Sequence, residues 1–322
     1  MFVGNHDITL DTDFYAQYGL YFHNQDPQDP AKCIKLLEDS PSIIWLKHEA
    51  AIINLTSPTG PRTTFKIFGS PLSPASGMWA FGYGSEEAEN IWNRVPLDSD
   101  IVMTHTPPKY HLDERKDRRA VGCEALRNTL WRVRPRLAIC GHVHEGRGAD
   151  IVRWDLDHPN IKYKEANVER WEDPGRGNKK MSLVDLSSKI KRPIENNGSR
   201  GDFNIEEPAR KPHHSMTGLS GDPTKLSSAP ASPKRAVGSA VSRITTSLLA
   251  VPPETVPPAT RGQGGLPPSQ RCDLEALSGR LGRKETCIIN AAIVASSWPH
   301  GPGGRKFNKP IVVDIDLPVW DT

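Results

Sequence analysis

Leu137-Ala138-Ile139-Cys140-Gly141-His142-Val143-His144-Glu145-Gly146 is the most informative run in this 322-residue chain. Its first four residues are apolar, as in a strand buried on both faces. A glycine and two histidines one residue apart follow at once. On extended backbone a His-x-His pair sends its imidazoles to opposite sides. Gly141 before the pair and Glu145-Gly146-Arg147-Gly148 after it supply the freedom for a turn that would redirect them. Ligating groups placed directly after an apolar strand sit where the carboxyl edge of a sheet presents its loops.

Two other places repeat the arrangement. Ile101-Val102-Met103 runs into Thr104-His105-Thr106-Pro107-Pro108, and Met1-Phe2-Val3 runs into Gly4-Asn5-His6-Asp7. Taken singly, an Asn-His is ordinarily a turn and a strand-end histidine such as His105 is ordinarily a hydrogen-bonded loop residue. Three such loops in one chain point instead to donors gathered around a divalent cation. Between them, Glu124–Arg134 sets Leu126, Leu130 and Val133 at helical spacing and stops at Pro135. Ser85–Val95 reads as a second helix, and Ile43–Leu46 and Thr64–Phe68 as strands. The order β-β-α-β-α-β predicts a layered α/β domain.

Composition then divides the chain. From Glu206 to Gln270 there are eleven prolines, and no Phe, Trp or Tyr falls between Phe203 and Trp298. Such sequence buries too little apolar area to offset its ordering entropy. Residues 175–282 are therefore expected to be mostly disordered, apart from short helices near Ser182–Ile190 and Asp273–Arg280. Thr286–Val294 and Ile311–Ile315 look like strands, and two strands alone are not stable. They are expected to dock on the N-terminal sheet, which makes 175–282 an insertion between residues 1–174 and 283–322 of one domain. The formal charge of +3 neither excludes nor recommends nucleic acid as a partner, so none is indicated. Five widely spaced cysteines without a C-x-x-C pair fit reduced thiols in an intracellular, cytoplasmic setting. Met1–Asp7 is not expected to be a signal peptide, having no positive stretch followed by an apolar one, and no uncharged apolar run approaches the roughly 18 residues of a membrane span.

In this order, Gly-Asn-His-Asp, Thr-His-x-Pro-Pro and Gly-His-x-His resemble the calcineurin-like metallophosphoesterase superfamily, in its metallophosphoesterase-domain-containing branch. Ile67-Phe68-Gly69-Ser70-Pro71, Trp79-Ala80-Phe81, Val121-Gly122-Cys123, Asn290-Ala291-Ala292 and Asn308-Lys309-Pro310-Ile311 extend the likeness over about 1–165 and 284–320. The resemblance implies a sandwich of two β-sheets flanked by helices, and hydrolysis of phosphate esters, above all phosphodiesters, by a hydroxide that two divalent ions hold. It assigns Asn5, His105 and His142 to one ion and His144 to the other. His6 would steady the transition state or protonate the leaving oxygen. Mixed nitrogen and oxygen ligands suit Mn, Fe or Zn. Arg147 is placed to bind the substrate phosphate.

The family's pattern opens with Asp-x-His and a Gly-Asp motif. No Asp-x-His occurs in this chain, and Gly201-Asp202 lies out of order in the low-complexity stretch. The expectation is a domain lacking its first strands, binding one ion at best, with impaired hydrolysis. Arg115–Arg119 and Arg132, Arg134 and Arg136 read as a solvated loop and a helix face, or else as phosphate contacts. His213-His214 is not expected to ligate, and Trp298-Pro299-His300 is a loop that borders the cleft in one reading. Two other readings compete with the enzyme. One is a non-catalytic binding protein of the same fold. The other is an interaction protein whose Pro/Ser-rich insertion recruits peptide-binding domains.

Overall fold

The computed structural model describes residues 3–55, 62–158, 161–175, 177–196, 283–295 and 304–317, and the backbone of 245–249. Helices α1 (Thr12–Phe22) and α2 (Pro30–Glu38) come first, followed by strands β1 (Glu49–Leu55), β2 (Thr63–Ser70), β3 (Ser73–Pro74) and β4 (Gly82–Tyr83). Helix α3 (Ala88–Trp92), strand β5 (Ile101–Thr104) and helix α4 (Glu124–Val133) lead to β6 (Leu137–Cys140), β7 (Gly148–Trp154), β8 (Glu165–Arg170) and β9 (Ser182–Asp185). The last strands are β10 (Thr245–Leu249), β11 (Glu285–Asn290) and β12 (Ile311–Asp314). Eight of the strands form one sheet in the order β10-β1-β2-β5-β6-β11-β7-β8. Its middle four, β2, β5, β6 and β11, run parallel, and the flanking strands are antiparallel.

Alternation along those four strands explains their continuous apolar runs. Phe68, Val102, Ala138 and Ile288 face one side and pack with Trp92 of α3 and Leu126, Leu130 and Trp131 from α4. Ile101, Leu137, Cys287 and Ile289 face the other, against Val184 of β9 and the partly buried Ile311 and Val313 of β12. Both faces are covered, so the middle of these strands is apolar and polar residues such as Lys66, Thr104 and Asn290 are buried with partners. Strands β9 and β12 pair in parallel as a small second sheet. The mixed α/β sandwich that the sequence suggested is therefore present, with helices on one face of the large sheet and two strands on the other.

Local chemistry sets the helix ends. Asp11 caps α1 by accepting from the Phe14 N–H at 3.1 Å, and Asp29 caps α2 by accepting from Lys32 N–H at 3.2 Å. Helix α4 ends at Arg134 in the left-handed region, φ 45°, one residue before Pro135. Helix α3 is shorter than the helix read over Ser85–Val95. Ile43–Leu46, read as a strand, has no regular structure. Leu46 instead lies across Gly69, where a Cβ would stand 2.7 Å from its side chain, so this segment crosses the end of β2 rather than pairing with it. The short helix expected near Ser182–Ile190 is strand β9, because Ser182–Asp185 finds an edge partner in β12. Val3 is buried but lies in no strand. Most of the low-complexity stretch, including the helix expected at Asp273–Arg280, lies outside the described residues.

After that stretch the chain re-enters at the centre of the sheet. Strand β11 lies between β6 and β7, with Cys287 opposite Leu137 and Asn290 opposite Cys140. Just before it, the buried Arg283 donates to Ser99 O at 2.7 Å and pairs with Asp100 at 2.6 Å. Asp100 also accepts from the Lys66 N–H of β2 at 2.8 Å. One buried ion pair thus ties the incoming strand to the far side of the sheet. Arg283→Met should destabilise the fold by about 3–5 kcal/mol in urea unfolding, because it leaves Asp100 charged and buried. Adding Asp100→Asn to that variant should recover part of the loss.

Candidate metal centre

The carboxyl ends of β5, β6 and β11 open at one edge of the sheet, and the backbone there is stitched from strand to strand. His105 N–H donates to Ser70 O at 3.0 Å, Gly141 N–H to His105 O at 3.1 Å, and Ala291 N–H to Cys140 O at 2.8 Å. Gly4 and Asp7 close a turn in which the Gly4 N–H donates to the Asp7 carboxylate at 2.8 Å. A side chain at Gly4 would meet the His105 ring at 2.2 Å, so only glycine lets this loop lie over that imidazole. Asn5 follows, buried, and its carbonyl accepts from the Ala80 N–H at 3.2 Å.

The turn needed between the paired histidines is present. His142 has φ 64°, and the Val143 N–H donates back to Gly141 O at 2.6 Å, a tight γ-turn with a non-glycine residue at its centre. Such a backbone costs on the order of 1–3 kcal/mol and persists only where its surroundings enforce it. Asn290, at the end of β11, supplies that enforcement. Its amide donates to Val143 O at 2.8 Å and Leu112 O at 2.9 Å and accepts from the Ala292 N–H at 3.0 Å. A Cβ at Gly146 would sit 1.8 Å from Leu112 O, so the chain leaving the turn also requires glycine.

Three side chains meet as a result. His105 Nε2 stands 2.8 Å from Asn5 Oδ1 and 3.0 Å from His142 Nδ1. Desolvation and the neighbouring His142, His6 and His144 push the His105 pKa down to about 3. Desolvation, with His144, His6 and Arg115, pushes His142 to about 4. Both imidazoles are therefore neutral at pH 7, and their lone pairs are available. Neighbouring ligands on an ion with bonds of about 2.1 Å stand about 3 Å apart, which matches both separations. Asn5, His105 and His142 thus fit a divalent cation. Among the described residues, no three His, Cys, Asp or Glu side chains are grouped closely enough to hold one by themselves.

The remaining predicted residues fall around this trio. His144 has a buried Nδ1 without a hydrogen-bond partner, and its field lowers the pKa of His6, His105 and His142. His6 is exposed and rests on Trp79 with ring centroids 4.0 Å apart. Desolvation, then His144 and Arg305, hold it below its ordinary pKa, against the pull of Asp7. Arg147 turns to the second sheet, donating to Ser182 Oγ at 3.1 Å and Lys309 O at 2.7 Å.

Arg132, Arg134 and Arg136 are neither a solvated face nor phosphate ligands. Arg132 is bonded to Asn93 and Thr129, Arg134 is buried and donates to Trp131 O at 2.9 Å, and Arg136 donates to Asn196 O at 2.5 Å. The sequence reading missed Asn290 as the anchor of the turn, Arg305 beside His6, and Trp79. The Trp-Ala-Phe match was the one available signal for the last. His213-His214, Gly201-Asp202 and Trp298–His300 lie outside the described residues. No helix among the described residues is long and apolar enough to cross a membrane.

Comparison with known proteins agrees with this geometry. The calcineurin-like phosphoesterase family model matches residues 1–146. The metallophosphoesterase domain-containing protein 1 of Homo sapiens is 34% identical over 152 residues, which cover 45% of this chain and 44% of that protein. A UPF0046 protein of Caenorhabditis elegans is 39% identical over 84 residues, 26% of this chain and 21% of that protein. The probable rhamnogalacturonate lyase C of Emericella nidulans is 36% identical over 155 residues, 48% of this chain but 13% of that protein. The chain thus spans less than half the length of each of these relatives. The Gly-Asn-His, Thr-His and Gly-His-x-His loops that converge at one sheet edge thus all lie within residues 1–146, the stretch that the calcineurin-like phosphoesterase family model matches.

Proposed function

We propose that this chain is a metal-dependent hydrolase of phosphate esters, with small phosphodiesters as its substrate class. The supporting observation is the approach of Asn5 Oδ1, at 2.8 Å, and His142 Nδ1, at 3.0 Å, to the same His105 Nε2 at the carboxyl edge of the sheet. One His105 ring nitrogen there faces both the Asn5 oxygen and the His142 nitrogen, and its single site cannot serve every neighbour as a hydrogen bond. A cation accepts all three lone pairs at once. A bound Mn, Fe or Zn ion would supply positive charge to the phosphoryl oxygens and acidify a water molecule.

The protein's own groups do the rest. The strained His142 turn and Asn290 hold the imidazoles in place before any ligand arrives, so little reorganisation is left for binding. His6, solvent-accessible and next to the trio, presents a ring N–H to the leaving oxygen. Held below its ordinary pKa, it is mostly neutral at pH 7 and acts there as a hydrogen-bond donor rather than a full acid. His144 is the remaining ligand candidate, because its buried Nδ1 has no other partner. Two imidazoles and an amide, with no carboxylate among them, carry no negative charge to offset a dication, so binding should be weak.

Two measurements test this reading. Calorimetric titration with Mn²⁺ should show one weak site, and Mn²⁺ should stimulate hydrolysis of bis(p-nitrophenyl) phosphate. His142→Ala should weaken metal affinity by at least about tenfold while leaving far-ultraviolet circular dichroism unchanged. Absence of Mn²⁺ binding to the full chain between pH 6 and 8 would refute the proposal.

The second test is acid stability of the metal-free chain. Unfolded histidines titrate near 6.5, and folded His105 and His142 titrate near 3 and 4. Between those values the unfolded state binds more protons, so stability is full above about pH 6.5 and falls as pH drops toward 4. The Tm should follow that course, and His105→Gln should fall less steeply over the same range. His48, also held near 4 by burial, keeps part of the slope in the variant.

A further inference from the structure

Beside the metal centre runs a line of aromatic rings that the proposed chemistry does not use. Trp79 lies 4.0 Å from His6, Phe22 lies 5.6 Å from Trp79, and Phe14 lies 6.0 Å from Phe22. Trp79 keeps 37% of its surface exposed and Met78 keeps 39%. A tryptophan placed only for packing would be more fully covered, as Trp92 is at 0%. The line is not a loose edge of the fold. Asp11 both caps α1 through Phe14 N–H at 3.1 Å and accepts from Phe81 N–H at 2.7 Å. Ala80 N–H donates to Asn5 O at 3.2 Å, so the Trp79 segment is bonded to the loop that carries Asn5 and His6. An apolar surface fixed against a polar centre is the usual form of a small-molecule subsite.

We infer that Trp79, backed by Phe22, forms a subsite for a flat aromatic group carried on the ester oxygen of the substrate. The inference rests on the proposed role of His6. The group that hydrogen-bonds the leaving oxygen touches Trp79, so whatever that oxygen carries must lie along the Trp79 ring. An indole face gains from stacking an aryl group and gains little from a methyl group. Trp79 thereby selects the leaving group, favouring aryl over small alkyl esters, and does not touch the phosphoryl oxygens.

Calorimetric titration of phenylphosphonate and methylphosphonate into the Mn²⁺-loaded full chain reads the preference without requiring turnover. Phenylphosphonate should bind about fivefold more tightly, in line with one stacking contact. Trp79→Ala should shrink that ratio to below about twofold with methylphosphonate affinity unchanged, and Trp79→Phe should restore most of it. An unchanged ratio, or equal losses for both ligands, overturns the subsite. Phenol added to metal-free protein, followed on the Trp79 indole N–H by NMR, keeps the two proposals separable. If neither phosphonate binds, the metal-centre reading fails. A phenol-induced shift of that signal then still supports the aromatic subsite, and no shift overturns it.

Discussion

Parallel neighbours in a sheet put their carboxyl ends on one edge, about 4.8 Å apart, and the whole candidate site depends on that spacing. His105 is the first residue after β5, and His142 follows β6 by two. Their ring centroids stand 4.7 Å apart, close to one strand separation. Strand β11, on the other side of β6, ends in Asn290, which reaches back to hold the His142 turn. The sheet itself brings the two histidines together, and the Gly4–Asp7 turn then lays Asn5 against His105. The hydrophobic packing on both faces of β5, β6 and β11 therefore serves the chemistry directly, by fixing the origin of each loop.

The edge departs from low-energy geometry where function would ask it to. His142 sits in the left-handed region, and two adjacent imidazoles are held below their ordinary pKa, chiefly by burial. A fold selected for stability alone would place a glycine at 142 and an apolar side chain at 105. Strain and unpaired polarity gathered in one spot, among otherwise consistent local choices, mark a site rather than a defect. The neutral state of these rings is itself a product of burial, and it leaves their lone pairs open to a cation.

Legibility in the sequence was uneven, for identifiable reasons. Strands β5, β6 and β11 stood out because burial on both faces forces an unbroken apolar run. Helix α4 stood out through its periodicity and the proline that follows it. Ile43–Leu46 has strand-like composition but no free neighbour to pair with, and propensity does not report on partners. Ser182–Asp185 became a strand because β12, about 130 positions further along the chain, lies beside it. Arginines at 132, 134, 136 and 147 look alike as charges on paper. Arg134 turns back onto Trp131 O of its own helix, and the partners of the other three, Asn93, Asn196 O and Lys309 O, come from segments the sequence does not place next to them.

By itself the sequence determined the donor types, the strand that precedes His105 and His142, and the order of the three loops, since each is encoded within about ten neighbouring residues. Tertiary structure alone decided that Asn5 and His142 both meet His105, that His6 rests on Trp79, and that Asn290 holds the turn. Those contacts join residues tens to hundreds of positions apart. The distances between the strand ends follow from sheet order and register, and those to Asn5 and Trp79 from how their loops pack on that edge, which no local pattern of side chains specifies.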